Sequence, residues 1–296
     1  MAIIDPKQVA TRDFHQFLLG AVAPRPIAFV STIDEDGNAN LAPYSFFNAF
    51  SSNPPILVFS SNRRVVDNTT KDTLANVIAT KEVVISVVNY DIVRQMTVAS
   101  VQFDSDISEF EKAGLTPIAA EDVKPFLVKE SPVNMECRVR EIQTLGEHGG
   151  AGHLIICEVI KMHIKDEVID ENGRIDPHKI DLMGRMGRAF YVRASGDAIK
   201  TIVQPVTELT IGYNALPASI KNSKILSGNN IGQLAGLTEI PDKETVIALR
   251  KSDSAVKAAL GGDNPVEALH KLAKSILEDD GQRKYGAQIA WLGEYL

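Results

Sequence analysis

The stretch RPIAFVSTIDEDGNANLAPYSFFNAFSSNPPILVFSSN, residues 25–62, decides the fold. Residues 27–33 are rich in β-branched and aromatic side chains, residues 34–38 (DEDGN) form a turn cluster, and residues 56–59 are a second strand candidate. Asn40, Tyr44, Ser45, Asn48, Ser51, Ser52 and Asn53 lie between them, so the stretch reads as a hairpin with a polar, turn-rich centre. A core hairpin does not need so many short hydrogen-bonding side chains. A site for a polyhydroxylated or phosphorylated ligand does.

Upstream, residues 5–19 predict a turn and a short helix, and Pro24-Arg25-Pro26 forces an extended approach into the first strand. Downstream, Leu74, Val77 and Ile78 carry the i, i+3, i+4 spacing of a helix over residues 71–78, with Thr70 or Asp72 as its cap. Residues 83–88 predict a strand buried on both faces, and residues 91–100 a short helix. Residues 104–131 read as a surface excursion, helical near 107–113 and then broken by Pro117, Pro125 and Pro132. Residues 133–145 and 153–169 form a long hairpin around a loop with four glycines, a pairing expected to close a sheet or barrel. A turn at 171–174, an irregular segment at 175–186 and a short strand at 189–193 complete this part. Five or six strands joined by short turns favour a mainly β barrel over a doubly wound sheet.

From about Gly196 the character changes. Pro205, Pro217 and Pro241 punctuate the chain, Gly228-Asn229-Asn230 reads as a tight turn, and residues 243–260 and 265–277 are amphipathic helices. In the second, Val266, Leu269, Leu272, Ala273 and Ile276 form one face, with Asn264 as N-cap and Pro265 at the first helical position. The expected division is residues 1–196 as a barrel domain and 197–296 as a partly helical extension packed on the barrel or on a partner subunit.

At 296 residues, with 44% hydrophobic and 23% charged side chains, the composition is that of a globular protein with a proper core. A net charge of −7 without a dense basic block argues against nucleic acid. No apolar run of about 18 residues suggests a membrane span, and Asp5, Lys7, Arg12 and Asp13 stand where a signal peptide needs an apolar core. The expected compartment is the cytoplasm. Cys137 and Cys157 sit in apolar strand-like runs and read as buried free thiols.

Several chemistries lack their signatures. Gly184 and Gly187 make only a GxxG, there is no P-loop, no GxSxG elbow marks a nucleophile, and Asp279-Asp280 belongs to a solvated helix end. His153, Cys157 and His163 would share one strand face, but residues four apart on a strand are separated by about 13 Å, too far for one metal ion. The coherent set is Asn40, Ser45, Ser60, Ser61, Asn62, Arg63, Lys71, Asp72 and Thr73. A phosphate needs a cation with convergent donors, and Lys71-Asp72-Thr73 at a helix start supplies them beside the 60–63 loop. The segment 42–45 supplies apolar cover and backbone groups of the kind a flavin ring edge requires. The same residues also serve as ordinary turn and cap residues.

The ordered pieces RPIAFVST, DEDGNANLAPYSFFNAFSSNPP, FSSNRR and KDTLANV resemble the flavin reductase-like family of FMN-binding split-barrel proteins, which includes flavoredoxins. IDPHKIDLMGRMGRAFYV is similar to the late segment of that family. The resemblance covers about residues 15–195. It implies a Greek-key split β-barrel, noncovalent FMN and a homodimer whose interface helps build the flavin site. It further implies that Asn40, Leu41, Ala42, Pro43, Tyr44, Ser45 and Phe46 line the isoalloxazine. Ser60, Ser61, Asn62 and Arg63 would meet the ribityl and phosphate, Lys71, Asp72 and Thr73 would hold the phosphate, and Arg185 and Tyr191 would lie toward the open face. The activity implied is an NAD(P)H-dependent flavin reductase, with hydride passing to flavin N5. The alternatives are a flavoredoxin-like electron carrier reduced by a redox protein partner and a noncatalytic flavin-binding module. The protein in such enzymes supplies orientation and electrostatics, so no acid or base residue is expected.

Overall fold

The turn at Asp34 sets the first strand pairing. Its Oδ1 accepts from the backbone N–H of Asp36 (3.0 Å) and Asn38 (2.8 Å), Asn38 Nδ2 donates to Oδ2 (2.9 Å), and Gly37 takes φ 96°. This closes a hairpin between β1 (Ala28–Ile33) and β2 (Ala39–Tyr44), in register from Ala28 opposite Tyr44 to Ile33 opposite Ala39. The computed structural model describes residues 1–202 and 207–296, in two units, Met1–Ile199 and Lys200–Leu296. Pro205 lies outside the described residues.

In the first unit, the polar centre of residues 25–62 is not the long turn the sequence suggested. It forms β2 and a further strand, β3 (Phe47–Ser52), which pairs with β4 (Pro55–Asn62). Polar residues are tolerated there because β2 and β3 are the two edges of the sheet, and five of the six residues of β3 are exposed. The remaining strands are β5 (Glu82–Val87), the short pair β6 (Pro117–Ile118) and β7 (Leu127–Val128), the long hairpin β8 (Val133–Thr144) and β9 (Gly152–Ile164), and the pair β10 (Met183–Arg185) and β11 (Tyr191–Arg193). Seven strands form one antiparallel sheet in the order β2-β1-β5-β8-β9-β4-β3.

That order constrains the shape. Only Ser45 and Phe46 separate β2 from β3, so the edges lie within about 11 Å of one another along the chain. In a flat seven-stranded sheet they would stand about 29 Å apart. The sheet therefore curls until its edges approach, with no strand pairing between β2 and β3 to close it. Phe59, Leu74, Val77, Val83, Ile85, Ile155 and the two free thiols Cys137 and Cys157 fill its concave side. β1 is buried on both faces, because Phe29 and Leu41 join Val88, Ile92 and Met96 in a second cluster outside the sheet.

Of the helices, α1 (Thr11–Ala21) precedes the sheet and buries none of its residues. α2 (Asp72–Thr80) buries Leu74 and Val77, and neither Thr70 nor Asp72 caps it: Lys71 is the N-cap residue, with no side-chain cap bond. α3 (Val93–Val98), α4 (Glu109–Ala113) and α5 (Pro177–Ile180) are short. A β-bulge corrects the face assigned to His163. The pairing shifts between Glu136 and Cys137, so Ile160 is extra on β9 and every later side chain turns over. Cys157 therefore belongs to the core, while His163 Nε2 meets Glu136 Oε1 at 2.6 Å. His153 instead faces Thr144, with Nδ1 3.0 Å from its hydroxyl.

The second unit is helical: α6 (Ala218–Lys221), α7 (Gly228–Ala235), α8 (Lys243–Ser252), α9 (Ser254–Leu260), α10 (Pro265–Ile276) and α11 (Arg283–Leu292). Gly228-Asn229-Asn230 is not a turn but the first turn of α7, closed by a capping box between Ser227 and Asn230. The predicted helix over 243–260 is two, because Asp253 ends α8 and its side chain caps Val256 N of α9 at 2.9 Å. α10 begins as expected, with Asn264 accepting from Glu267 N. α11 was not legible: it is buried through Ala287, Ile289, Ala290, Trp291 and Leu292 and so shows no polar stripe. Among the described residues no helix is long and apolar enough to cross a membrane.

Glu136, fully buried in β8, ties the 117–131 excursion to the sheet. Its carboxylate accepts from the backbone N–H of Glu121 (3.0 Å), Asp122 (2.7 Å) and Val123 (3.2 Å), besides His163. Burial alone would raise this carboxyl, but the N–H of Glu121, the His163 imidazole and the N–H of Asp122 together hold it below the usual range. A depressed folded-state pKa adds stability above the unfolded value that is lost as pH falls through the folded one. Glu136→Gln should cost about 1.5–3 kcal/mol at pH 7. Urea unfolding should show this deficit shrinking as the pH is lowered through the carboxylate range; a deficit independent of pH would contradict the assignment.

Candidate functional site

Alternation along two strands sorts the predicted residues before any ligand is considered. On β2, Asn40, Ala42 and Tyr44 share one face, while Leu41 points the other way and is fully buried in the outer cluster. The Leu41 N–H donates to Glu109 Oε2 at 3.0 Å. On β4, Ser61 lies on the face of Phe59 and Leu57, toward the concave core. Ser60 and Asn62 occupy the opposite face, where the Ser60 hydroxyl donates to Asn62 Oδ1 (2.8 Å) and Asn62 Nδ2 approaches Gly150 O (3.4 Å). Ser45 and Phe46 form the link between β2 and β3 beside Arg25, whose Nε is 3.5 Å from Ser45 Oγ.

The segment 63–70 delivers two arginines to different ends. Arg63 is spent on the loop itself: Nε donates to Asn68 Oδ1 (2.8 Å) and Nη2 to Asn68 O (2.9 Å). Arg64 donates to Thr69 Oγ1 (2.8 Å) and lines a cavity of about 180 Å³ with Asn40, Ala42, Pro43, Lys71, Asp72 and Thr73. The four-glycine loop closes against this segment. A Cβ on Gly149 would stand 3.0 Å from Arg64 O and Val65, and Gly150 N donates to Arg63 O at 3.0 Å. Glycine is needed there because two backbones touch. Gln102, Phe103 and Glu109 line the opposite wall of the cavity.

The cavity lining carries both signs, Lys71 and Arg64 with Asp72 and Glu109. Lys71 Nζ lies 4.8 Å from the Tyr44 ring centroid, and burial, then the neighbouring Arg64 charge, lower its pKa. Among the described residues neither Lys71 nor Arg64 has a carboxylate within ion-pair distance. Tyr44 Oη and Ser61 Oγ are buried and make no hydrogen bond. Burial pushes the Tyr44 phenol up to about 12, with Thr73 and Ser61 nearby. Asn40 Nδ2 donates to Thr73 Oγ1 (2.9 Å) and approaches Thr32 Oγ1 (3.3 Å), which fixes the cavity floor. Glu109, at 8% exposure, has its carboxyl raised, chiefly by burial. A desolvated ammonium and a guanidinium on one cavity, beside the Thr73 hydroxyl, are the donors of an anion site.

The structure thus brings Asn40, Ala42, Pro43, Tyr44, Ser61, Lys71, Asp72 and Thr73 together. It turns Leu41, Ser60, Asn62 and Arg63 to structural partners. Arg185 and Tyr191 pair with each other, guanidinium to ring centroid 4.6 Å, and Tyr191 lines a different cavity, beside α3. Arg64 and Glu109 were missed. The Arg63-Arg64 doublet was a visible signal for the first, whereas nothing in the pattern of α4 marks Glu109.

Residues 20–179 match the family model described as Flavin reductase like domain. The chain belongs to this family. An uncharacterized protein of Aquifex aeolicus is 39% identical over 183 residues, covering 62% of this chain and 91% of its own. Among solved structures, nitrilotriacetate monooxygenase component B from Bacillus cereus is similar at TM-score 0.63 and 30% identity, over 68% of this chain and 98% of its own. A 2-nitrobenzoate 2-nitroreductase from Pseudomonas fluorescens is similar at TM-score 0.63 and 25% identity, over 71% of this chain and all of its own. The flavin reductase match contains the whole cavity and ends before the helical unit.

The two arginines are separable by substitution. Arg64→Ala should weaken binding of a phosphate-bearing flavin roughly tenfold or more, as expected for loss of a charge-assisted contact. Arg63→Ala should instead lower the melting temperature and leave that affinity within about threefold. Equal losses of affinity would contradict the division of roles.

Proposed function

We propose that this chain is an FMN-binding oxidoreductase of the flavin reductase type, using NADH or NADPH as electron donor. One observation carries the reading: the desolvated Lys71 ammonium and the Arg64 guanidinium line one cavity, and neither has an ion-pair partner among the described residues. The fit is to an anion carrying several acceptor oxygens, because the two cations on the lining, Lys71 and Arg64, present N–H donors with no ion pair of their own. In this reading Lys71 and Arg64 hold the FMN phosphate with Thr73 at the start of α2, and residues 42–46 run along the ring edge. When bound, the flavin supplies hydride acceptance and electron transfer. The chain's own residues hold it and orient it. Residues 1–196 carry this function, with 197–296 as an appended helical part.

A cavity of about 180 Å³ is below the roughly 300–1,000 Å³ usual for such ligands. We therefore assign the remaining cover to a second copy of the chain. Two features support this: α1 and its C-cap residue leave Phe17, Leu18 and Val22 exposed, and the edge strand β3 leaves Phe50 68% exposed. Mass measurement in solution should give a dimer, and a monomer that still binds FMN tightly would contradict the assignment.

Lys71→Ala should weaken FMN by about tenfold or more and leave riboflavin, which lacks the phosphate, nearly unchanged. Equal loss for both flavins would remove the phosphate assignment. Steady-state assays at saturating FMN should show oxidation of NADH or NADPH; no oxidation of either would leave a carrier reduced by another protein as the better reading.

A further inference from the structure

A second cavity, of about 550 Å³, lies between α3 and the β10–β11 turn. Its size falls in the usual range for an organic ligand. Tyr90, Phe190 and Tyr191 line it, with Val93 and Met183 beneath. These walls are not buried core: Tyr90 is 49% and Phe190 65% exposed, a large solvent-facing aromatic area for one small concavity.

Both tyrosines are held in place. Arg193 stacks 3.8 Å from the Tyr90 ring centroid and is itself fixed by Asp181, through Nε to Oδ1 (2.8 Å) and Nη2 to Oδ2 (2.7 Å). Arg185 stacks 4.6 Å from the Tyr191 centroid. Guanidinium contact orients each ring, so little side-chain freedom remains to be lost when a ligand binds. Of the two charged residues on the lining, Asp91 lies close enough to Arg193 to influence it, whereas the Arg94 guanidinium has no hydrogen bond or ion pair among the described residues. A free guanidinium fork beside fixed aromatic walls matches a flat ring bearing a carboxylate.

We propose that this cavity is a binding site for a planar aromatic carboxylate, separate from the Lys71 cavity. The separation follows from the elements. Val93, Arg94 and Thr97 of α3 face this cavity, while the residues after the helix, from Ala99 to Phe103, line the other. The two linings share no residue, and the aromatic site stands whether or not the Lys71 cavity takes a flavin.

The test is calorimetric titration of the full-length protein with 2-naphthoate and with its neutral analogue 2-naphthamide. Saturable one-to-one binding is expected, with the carboxylate favoured by about tenfold. Arg94→Gln should abolish that preference, and Phe190→Ala should weaken both ligands; both side chains are on the surface, so unchanged thermal unfolding will show that the variants fold. Saturating FMN should leave both titrations unaltered. Absence of saturable binding up to millimolar ligand, a preference that survives Arg94→Gln, or displacement by FMN would overturn the proposal.

Discussion

A positive charge partly removed from water without an ion pair is the constraint on which the first unit turns. The Lys71 ammonium is desolvated, sits over the Tyr44 ring beside Arg64, and among the described residues has no carboxylate within ion-pair distance. Leaving a partly buried ammonium without an ion pair is costly, and nearby the Tyr44 and Ser61 hydroxyls are buried without a hydrogen bond. The Glu136 carboxylate shows the contrast: where a buried charge is purely structural, three N–H groups and an imidazole meet it.

Much of the fold exists to hold that cluster in place. Leu74 and Val77 anchor α2 to the core and so fix Lys71 at its N-cap. β9 pairs with β4 up to Asn62 opposite Gly152, and glycines 149 and 150 let the next loop pass against residues 63–65. The two-residue step from β2 to β3 joins opposite sheet edges, so the curl that brings Tyr44 near Phe59, with ring centroids 5.2 Å apart, is imposed by topology. Site and curvature share one cause.

Legibility in the sequence followed burial. β1, β5, β8 and β9 were readable because β-branched and aromatic runs mark buried strands. β2 and β3 were hidden because exposed edges leave their polar residues looking like turn. The bulge at Ile160 left no local mark, so His163 was placed on the wrong face. α11 was invisible for the opposite reason to β3: Gly286 would put a Cβ 2.9 Å from Leu277, so small residues in its sequence serve close packing rather than an amphipathic stripe. Within the site, the sequence identified Lys71, Thr73, Asn40 and Tyr44 by residue type. It could not divide Arg63 from Arg64, because that depends on which of them Asn68 engages.

The most direct test of the central claim is the titration of the Lys71 ammonium itself, followed by NMR of the lysine side chains with Lys71→Arg as the assignment control. Without ligand its pKa should lie below that of the other lysines, and it should rise when FMN is added but not when riboflavin is. An ordinary lysine pKa that neither flavin moves would contradict the account.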